Sequence, residues 1–154
     1  MRRVEFSWPS EGISVTAHLL DKDEPEVCDL MWNNLAEPIK LFCRHTISTG
    51  EYYMAEGRPP RHPIPAGTIY GAFGRKQTMQ TRIKPGSICY SRFGGYGGFH
   101  FIYGKVTEPA PAWGPVVAEV DNEFEKDFVR AGKAVWQAQY RTHEPMIMMA
   151  KRGV

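Results

Sequence analysis

The sequence predicts a mainly β protein, a mostly antiparallel barrel with two helices on its rim, and three observations carry that expectation. Short β-branched or aromatic segments recur between glycine, proline and serine turns along much of the 154 residues. Fifteen glycines, 12 prolines and 12% aromatic residues favour strands and turns over a helical bundle. Only two stretches carry helical periodicity. The length is that of one ordinary domain, so 1–154 reads as a single domain with room for a core that needs neither metals nor disulfides.

Taken in order, "RRVEFSWP" and "GISVTAHLL" are strand segments split by Pro9, Ser10 and Gly12, so the chain opens as a hairpin. Asp23 can then cap a helix whose first turn holds Glu24, Pro25 and Glu26 and whose apolar side carries Val27, Leu30, Met31 and Leu35. Glu37-Pro38 ends it. "IKLFCRH" follows as a strand with Ile39, Leu41, Cys43 and His45 on one face and Phe42 and Arg44 on the other. "STG" supplies a turn or bulge, and "EYYMA" reads as the answering strand. From Glu56 to Pro85 the density of proline, glycine and basic residues predicts a long irregular excursion, with one short strand at "GTIYGAF". "PGSICYSRF" and "GFHFIYGKV" form a second hairpin around "GGYG". After the proline-rich "EPAPAWGP", Val120, Phe124, Phe128, Ala131, Val135 and Ala138 recur at helical spacing, so a helix begins near Asn122 and Gly132 can break it early. The apolar tail "PMIMMA" reads as a last strand tucked into the sheet.

The bulk properties exclude several classes. The formal net charge is +2 and the basic residues are scattered among acids, so there is no stripe to neutralise a row of phosphates and nucleic acid is not an expected partner. No window reaches the length of a membrane span, and no apolar run follows the two arginines at the start, so a cytoplasmic protein is expected. Cys28, Cys43 and Cys89 are odd in number and widely spaced, which fits buried reduced thiols. Histidines and cysteines show no zinc spacing, GxSxG, HExxH and Walker patterns are absent, and "FGGYGG" leads into no helix that would hold a phosphate. Neither metal nor cofactor is expected.

Candidate chemistry concentrates in two places. In "CRHTISTGEYY", neighbours Arg44 and His45 face opposite sides of a strand, so only one can serve a pocket, and His45 falls on the apolar side. His45 with Glu51 can form an acid–base pair, because a carboxylate accepting one ring N–H fixes the tautomer of the other nitrogen. The plainer readings are a hydrogen-bonded core histidine and a solvated strand-end glutamate. On the later hairpin, Tyr90, Arg92, His100 and Tyr103 bring phenol, guanidinium and imidazole groups near a glycine-rich turn, with His100 and Tyr103 diverging by alternation. The tyrosines, Tyr53 among them, read first as packing.

Three segments, "CDLMWNNLAEPIKLFCRH", "HTISTGE" and "IKPGSICYSRFGGYGGFHFIYGKV", together resemble the small bacterial proteins with a cyclophilin-like fold, a family largely of unknown function. The resemblance runs from Cys28 to Lys105, and Ser87 stands where the family's Pro-Gly-Asp-Ile-x-Tyr segment has its acid. It implies a closed barrel of about eight strands with two capping helices. The arginine pattern of prolyl isomerases is not reproduced, since Arg44 is followed by His-Thr-Ile. Cucumopine synthase looks like a member of the same group, and it joins histidine to 2-oxoglutarate by a Pictet–Spengler-type ring closure without a redox cofactor. The resemblance thus implies a cofactor-free enzyme for a small polar metabolite, an amino acid, 2-keto acid or amide, in a pocket at the barrel mouth. Arg44 or Arg92 would hold a substrate carboxylate, with Tyr53, His100 and Tyr103 as further contacts, while His45 and Glu51 exchange protons and Tyr90 or Tyr53 donates a hydrogen bond. The alternative is a non-catalytic binding module for a small molecule or peptide, with prolyl isomerase activity ranked below it. An exposed "PMIMM" would make a homodimer reasonable.

Overall fold

The computed structural model describes residues 1–57, 83–90, 98–107 and 115–154. Strands β1 (Arg3–Trp8) and β2 (Ile13–Leu19) form the expected opening hairpin, in register from Arg3 opposite His18 to Trp8 opposite Ile13. Helix α1 (Pro25–Asn34) has Pro25 at its first position, where a missing N–H costs nothing. Its cap position belongs to Glu24 rather than Asp23, and Val27, Cys28 and Met31 form its buried side. Strands β3 (Ile39–His45) and β4 (Gly50–Gly57) pair with His45 opposite Tyr53, and β3 buries Leu41, Cys43 and His45 in strict alternation. Strands β5 (Ser87–Tyr90) and β6 (Phe99–Val106) are the two arms of the later hairpin. The expected strand at "GTIYGAF", the glycine-rich tip and Arg92 lie outside the described residues.

Strand β7 (Val116–Val120) was not among the expected strands. It lacks period-2 alternation because both of its faces are covered, with Val117 in the barrel core and Val116 in a second apolar cluster outside it. Helix α2 (Glu125–Gln137) follows a short 3-10 turn at Asn122–Phe124 and runs straight through Gly132, so that glycine does not break it. A π-helical turn (Ala138–Thr142) follows and stops at His143, whose φ is 56°. Strand β8 (Ile147–Arg152) is the apolar tail, seated between β1 and β3. Its Met148 and Ala150 are fully buried, so the inward side of "PMIMM" is barrel wall, while Ile147 and Met149 on the outward side are half-buried.

The eight strands close into one antiparallel barrel in the order β1-β2-β7-β5-β6-β4-β3-β8. Closure leaves no sheet edge and turns one face of every strand inward. Phe6, Trp8, Tyr53, Phe99 and Phe101 fill that interior, with Phe6 edge-on to Phe99 at 5.2 Å and to Phe101 at 5.0 Å. The helices meet opposite ends of the barrel. Asn34 of α1 donates to the Tyr90 hydroxyl at 2.6 Å beside Phe99, whereas α2 lays Gly132 against Tyr103, four residues further along β6. All three cysteines are buried free thiols, and burial raises the Cys43 and Cys89 thiols to about 12. Among the described residues no helix is long and apolar enough to cross a membrane.

Met148, facing Leu41 across the β3–β8 pairing, is a sensitive probe of closure. Met148→Ala should cost about 2–5 kcal/mol, read as a lowered urea midpoint, whereas a midpoint within error of wild type would show that β8 contributes little to the core.

Candidate active site

His45 ends β3 on the inward face, at the rim where α2 covers the barrel. Its Nδ1 lies 2.6 Å from the backbone oxygen of Thr46 and its Nε2 lies 2.6 Å from the Tyr103 hydroxyl. A carbonyl oxygen can only accept, so Nδ1 carries the proton and Nε2 takes the bond that Tyr103 donates. Tyr140, in the π turn, donates from its hydroxyl to the His45 carbonyl at 3.0 Å and so fixes the backbone of the same residue. The imidazole is enclosed by Tyr53, Tyr103, Trp136 and Tyr140, with Trp136 edge-on at 5.0 Å. Burial lowers its pKa, so the ring is neutral near pH 7, and the Thr46 bond and the nearby Glu51 charge only partly oppose that.

Glu51 shares the parity of Tyr53 and Ala55 and therefore faces inward at the mouth. It stands alone at an irregularity where β4 passes from Gly50 opposite Val106 to Tyr52 opposite Ile102, so Tyr103, Gly104 and Lys105 all face this one residue. Irregularities of this kind re-aim side chains. Gly50 makes it feasible: its φ is 101°, and the Lys105 backbone lies where a Cβ would stand. His45, Glu51 and Tyr103 line one open cavity of about 500 Å³ with Ile47, Gly50, Lys133, Trp136 and Gln137. Burial, and secondarily the Glu51 charge, raises the Tyr103 phenol to about 12, so it stays protonated.

The expected direct pairing of His45 with Glu51 is replaced by His45 with Tyr103, because both ring nitrogens are already bonded when Glu51 reaches the cavity. Arg44 points away, exposed and ion-paired to Glu56 at 2.8 Å. Tyr53 is fully buried behind His45, and Tyr90 sits near the opposite end against Asn34. His100 lies on the outer face of β6, stacked on Tyr52 with Nδ1 2.9 Å from its hydroxyl, and burial pulls its pKa down to about 3. Lys133, Trp136 and Gln137 were missed. Their i, i+3, i+4 spacing is that of any helix face, and it acquires meaning only once α2 is placed over the mouth. Among the described residues no group of three or more His, Cys, Asp or Glu side chains is placed to hold a metal ion.

Fold and site together define a class, a closed antiparallel barrel whose helix-covered mouth holds a small-molecule-sized cavity with acid–base groups on its wall. The fold is similar to that of the solved structure of McbB in complex with tryptophan, with a TM-score of 0.74 and 25% sequence identity over 96% of this chain. The chain spans 44% of the length of that protein. No family model matches the sequence, and the comparison with curated proteins gives no match.

His45 and His100 are both held neutral by burial, so their folded pKa values lie below the ordinary 6.5. The sign follows directly. Above pH 6.5 neither state of the chain binds the protons and stability is at its full value, whereas below it the unfolded chain takes them up first and stability falls, by at most about 1.4 kcal/mol per pH unit per histidine. Urea midpoints should decline from pH 6.5 towards pH 4, and His100→Phe should flatten that decline; a wild-type midpoint constant over this range would contradict the neutral assignments.

Proposed function

We propose that this chain is an enzyme that takes an amino acid into the mouth cavity and condenses it with a carbonyl compound by a Pictet–Spengler-type ring closure. The observation that carries the reading is the hydrogen-bonded His45–Tyr103 pair sharing one cavity with the Glu51 carboxylate. Its support from outside the chain is a barrel of similar fold solved with tryptophan, and the sequence resemblance to the cyclophilin-like group, of which cucumopine synthase looks like a member, points the same way.

The reaction demands only proton transfers. The amine attacks the carbonyl carbon, the resulting hydroxyl leaves as water once protonated, a ring carbon bonds to the iminium carbon, and the proton on that ring carbon departs. One C–N and one C–C bond form and no electrons change owner. Glu51, open to the cavity, carries the proton from the amine to the departing hydroxyl and then, as carboxylate, faces the iminium charge. Tyr103 is too weak an acid to ionise, so it relays instead: its oxygen takes the ring proton while its own proton passes to His45 Nε2. Lys133 is the cation on the cavity wall for the substrate carboxylate, the part expected of Arg44 or Arg92, and the Trp136 indole offers a face for a substrate ring.

The first test is thermal stabilisation by L-tryptophan, then turnover with an aldehyde or 2-oxo acid. Glu51→Gln should lower kcat by about 10²–10⁴ while tryptophan still binds. Lys133→Ala should weaken binding by roughly tenfold, the loss of one charge-assisted contact. Binding without any product across the carbonyl panel would favour the binding-module reading, and stabilisation by no amino acid would end the proposal.

A further inference from the structure

The side chains of the acid–base groups rest on residues that have none. A Cβ on Gly132 would fall on Cγ and Cδ1 of the Tyr103 ring, and a Cβ on Gly104 would fall on Cβ, Cδ and Oε2 of Glu51, all closer than van der Waals contact allows. Gly132 lies in the middle of α2, where glycine costs the helix about 1 kcal/mol relative to alanine. It is buried on the side that faces the barrel, so a methyl group there would add apolar burial if room existed. The room is taken by Tyr103. Gly104 belongs to the three-residue segment of β6 facing Glu51, and its bare Cα lets the carboxyl stem fold flat against the strand.

We propose that Gly132 and Gly104 are positioning residues of the mouth cavity: the first seats the Tyr103 ring so that its hydroxyl meets His45 Nε2, and the second seats Glu51 so that its carboxylate stays in the same cavity. The inference rests on reading that cavity as an acid–base site, yet its geometry can be tested without turnover. Alanine at 132 has two ways to act. As a helix former it stabilises, and as an obstacle to Tyr103 it displaces the phenol and strips His45 Nε2 of its donor.

The experiment follows the ¹⁵N signals of the His45 ring and the melting temperature in Gly132→Ala, Tyr103→Phe, Gly104→Ala and Glu51→Gln. Gly132→Ala should lower the melting temperature and shift the His45 Nε2 signal as Tyr103→Phe does. In a Tyr103→Ala background the obstacle is gone, so Gly132→Ala should raise the melting temperature, and this reversal of sign decides the matter even if the single variant fails to fold. Gly104→Ala should lower the His45 pKa as Glu51→Gln does, because either change takes the carboxylate away from the ring. A Gly132→Ala protein that melts higher with an unchanged His45 spectrum, or a Gly104→Ala protein with the wild-type His45 titration, overturns the corresponding assignment. If these results hold while no amino acid is turned over, the seats stand and the condensation reading fails; if the spectra fail while turnover is found, the reverse is true.

Discussion

A carbonyl oxygen cannot donate a hydrogen bond, and at His45 that limitation organises the cavity. With Nδ1–H committed to the Thr46 oxygen, Nε2 is an acceptor, and the group within its reach is the Tyr103 hydroxyl. The pair is buried enough that the imidazole stays neutral and the phenol stays protonated, so each member is in the state the hydrogen bond requires. Tyr140 clamps the His45 carbonyl from the π turn, and Trp136 packs on the ring from the last turn of α2. The histidine is thereby held by strand, helix and π turn at once.

That arrangement depends on where α2 sits. Its inward side, Phe128, Ala131, Gly132 and Val135, belongs to the barrel core, which places the next strip of the helix, Lys133, Trp136 and Gln137, along the cavity wall. The same helix thus closes the barrel and furnishes the polar and aromatic lining of its mouth. At the far end, among the described residues, α1 packs Val27, Cys28 and Met31 into the core and its Asn34 donates a part-buried hydrogen bond to the Tyr90 hydroxyl. Among the described residues, the two ends thus differ in what their helices bring to the barrel.

His45 and His100 show how position within a strand pair decides what a histidine can do. His45 lies at a rim, where one face of the ring is packed and a cavity opens beside it. His100 lies mid-wall on the outer surface of β6, stacked on Tyr52 beside Cys89, Ile102 and Val116, where burial pulls its pKa down to about 3. The first is a candidate for proton transfer and the second a packing element.

Much of the barrel was legible in the chain itself. Alternation in "IKLFCRH" and "GFHFIYGKV" assigned the inward faces of β3 and β6 correctly, including the divergence of His100 from Tyr103, because a period of two is fixed by the backbone. β7 was invisible for the complementary reason, since a strand covered on both faces has no alternation to read. Amphipathic periodicity placed α2 but misjudged Gly132, because a glycine that stops a helix and one that admits a neighbouring ring look alike in one dimension. Which residues meet was decided by the tertiary structure alone. Arg44 went outward to Glu56, Lys133 and Trp136 came in with the helix, and Tyr103 took the partner expected of Glu51. Strand periodicity is a local property of the backbone, whereas the pair at the centre of the site, His45 and Tyr103, stands 58 positions apart in the chain and only the tertiary structure brings it within hydrogen-bond reach.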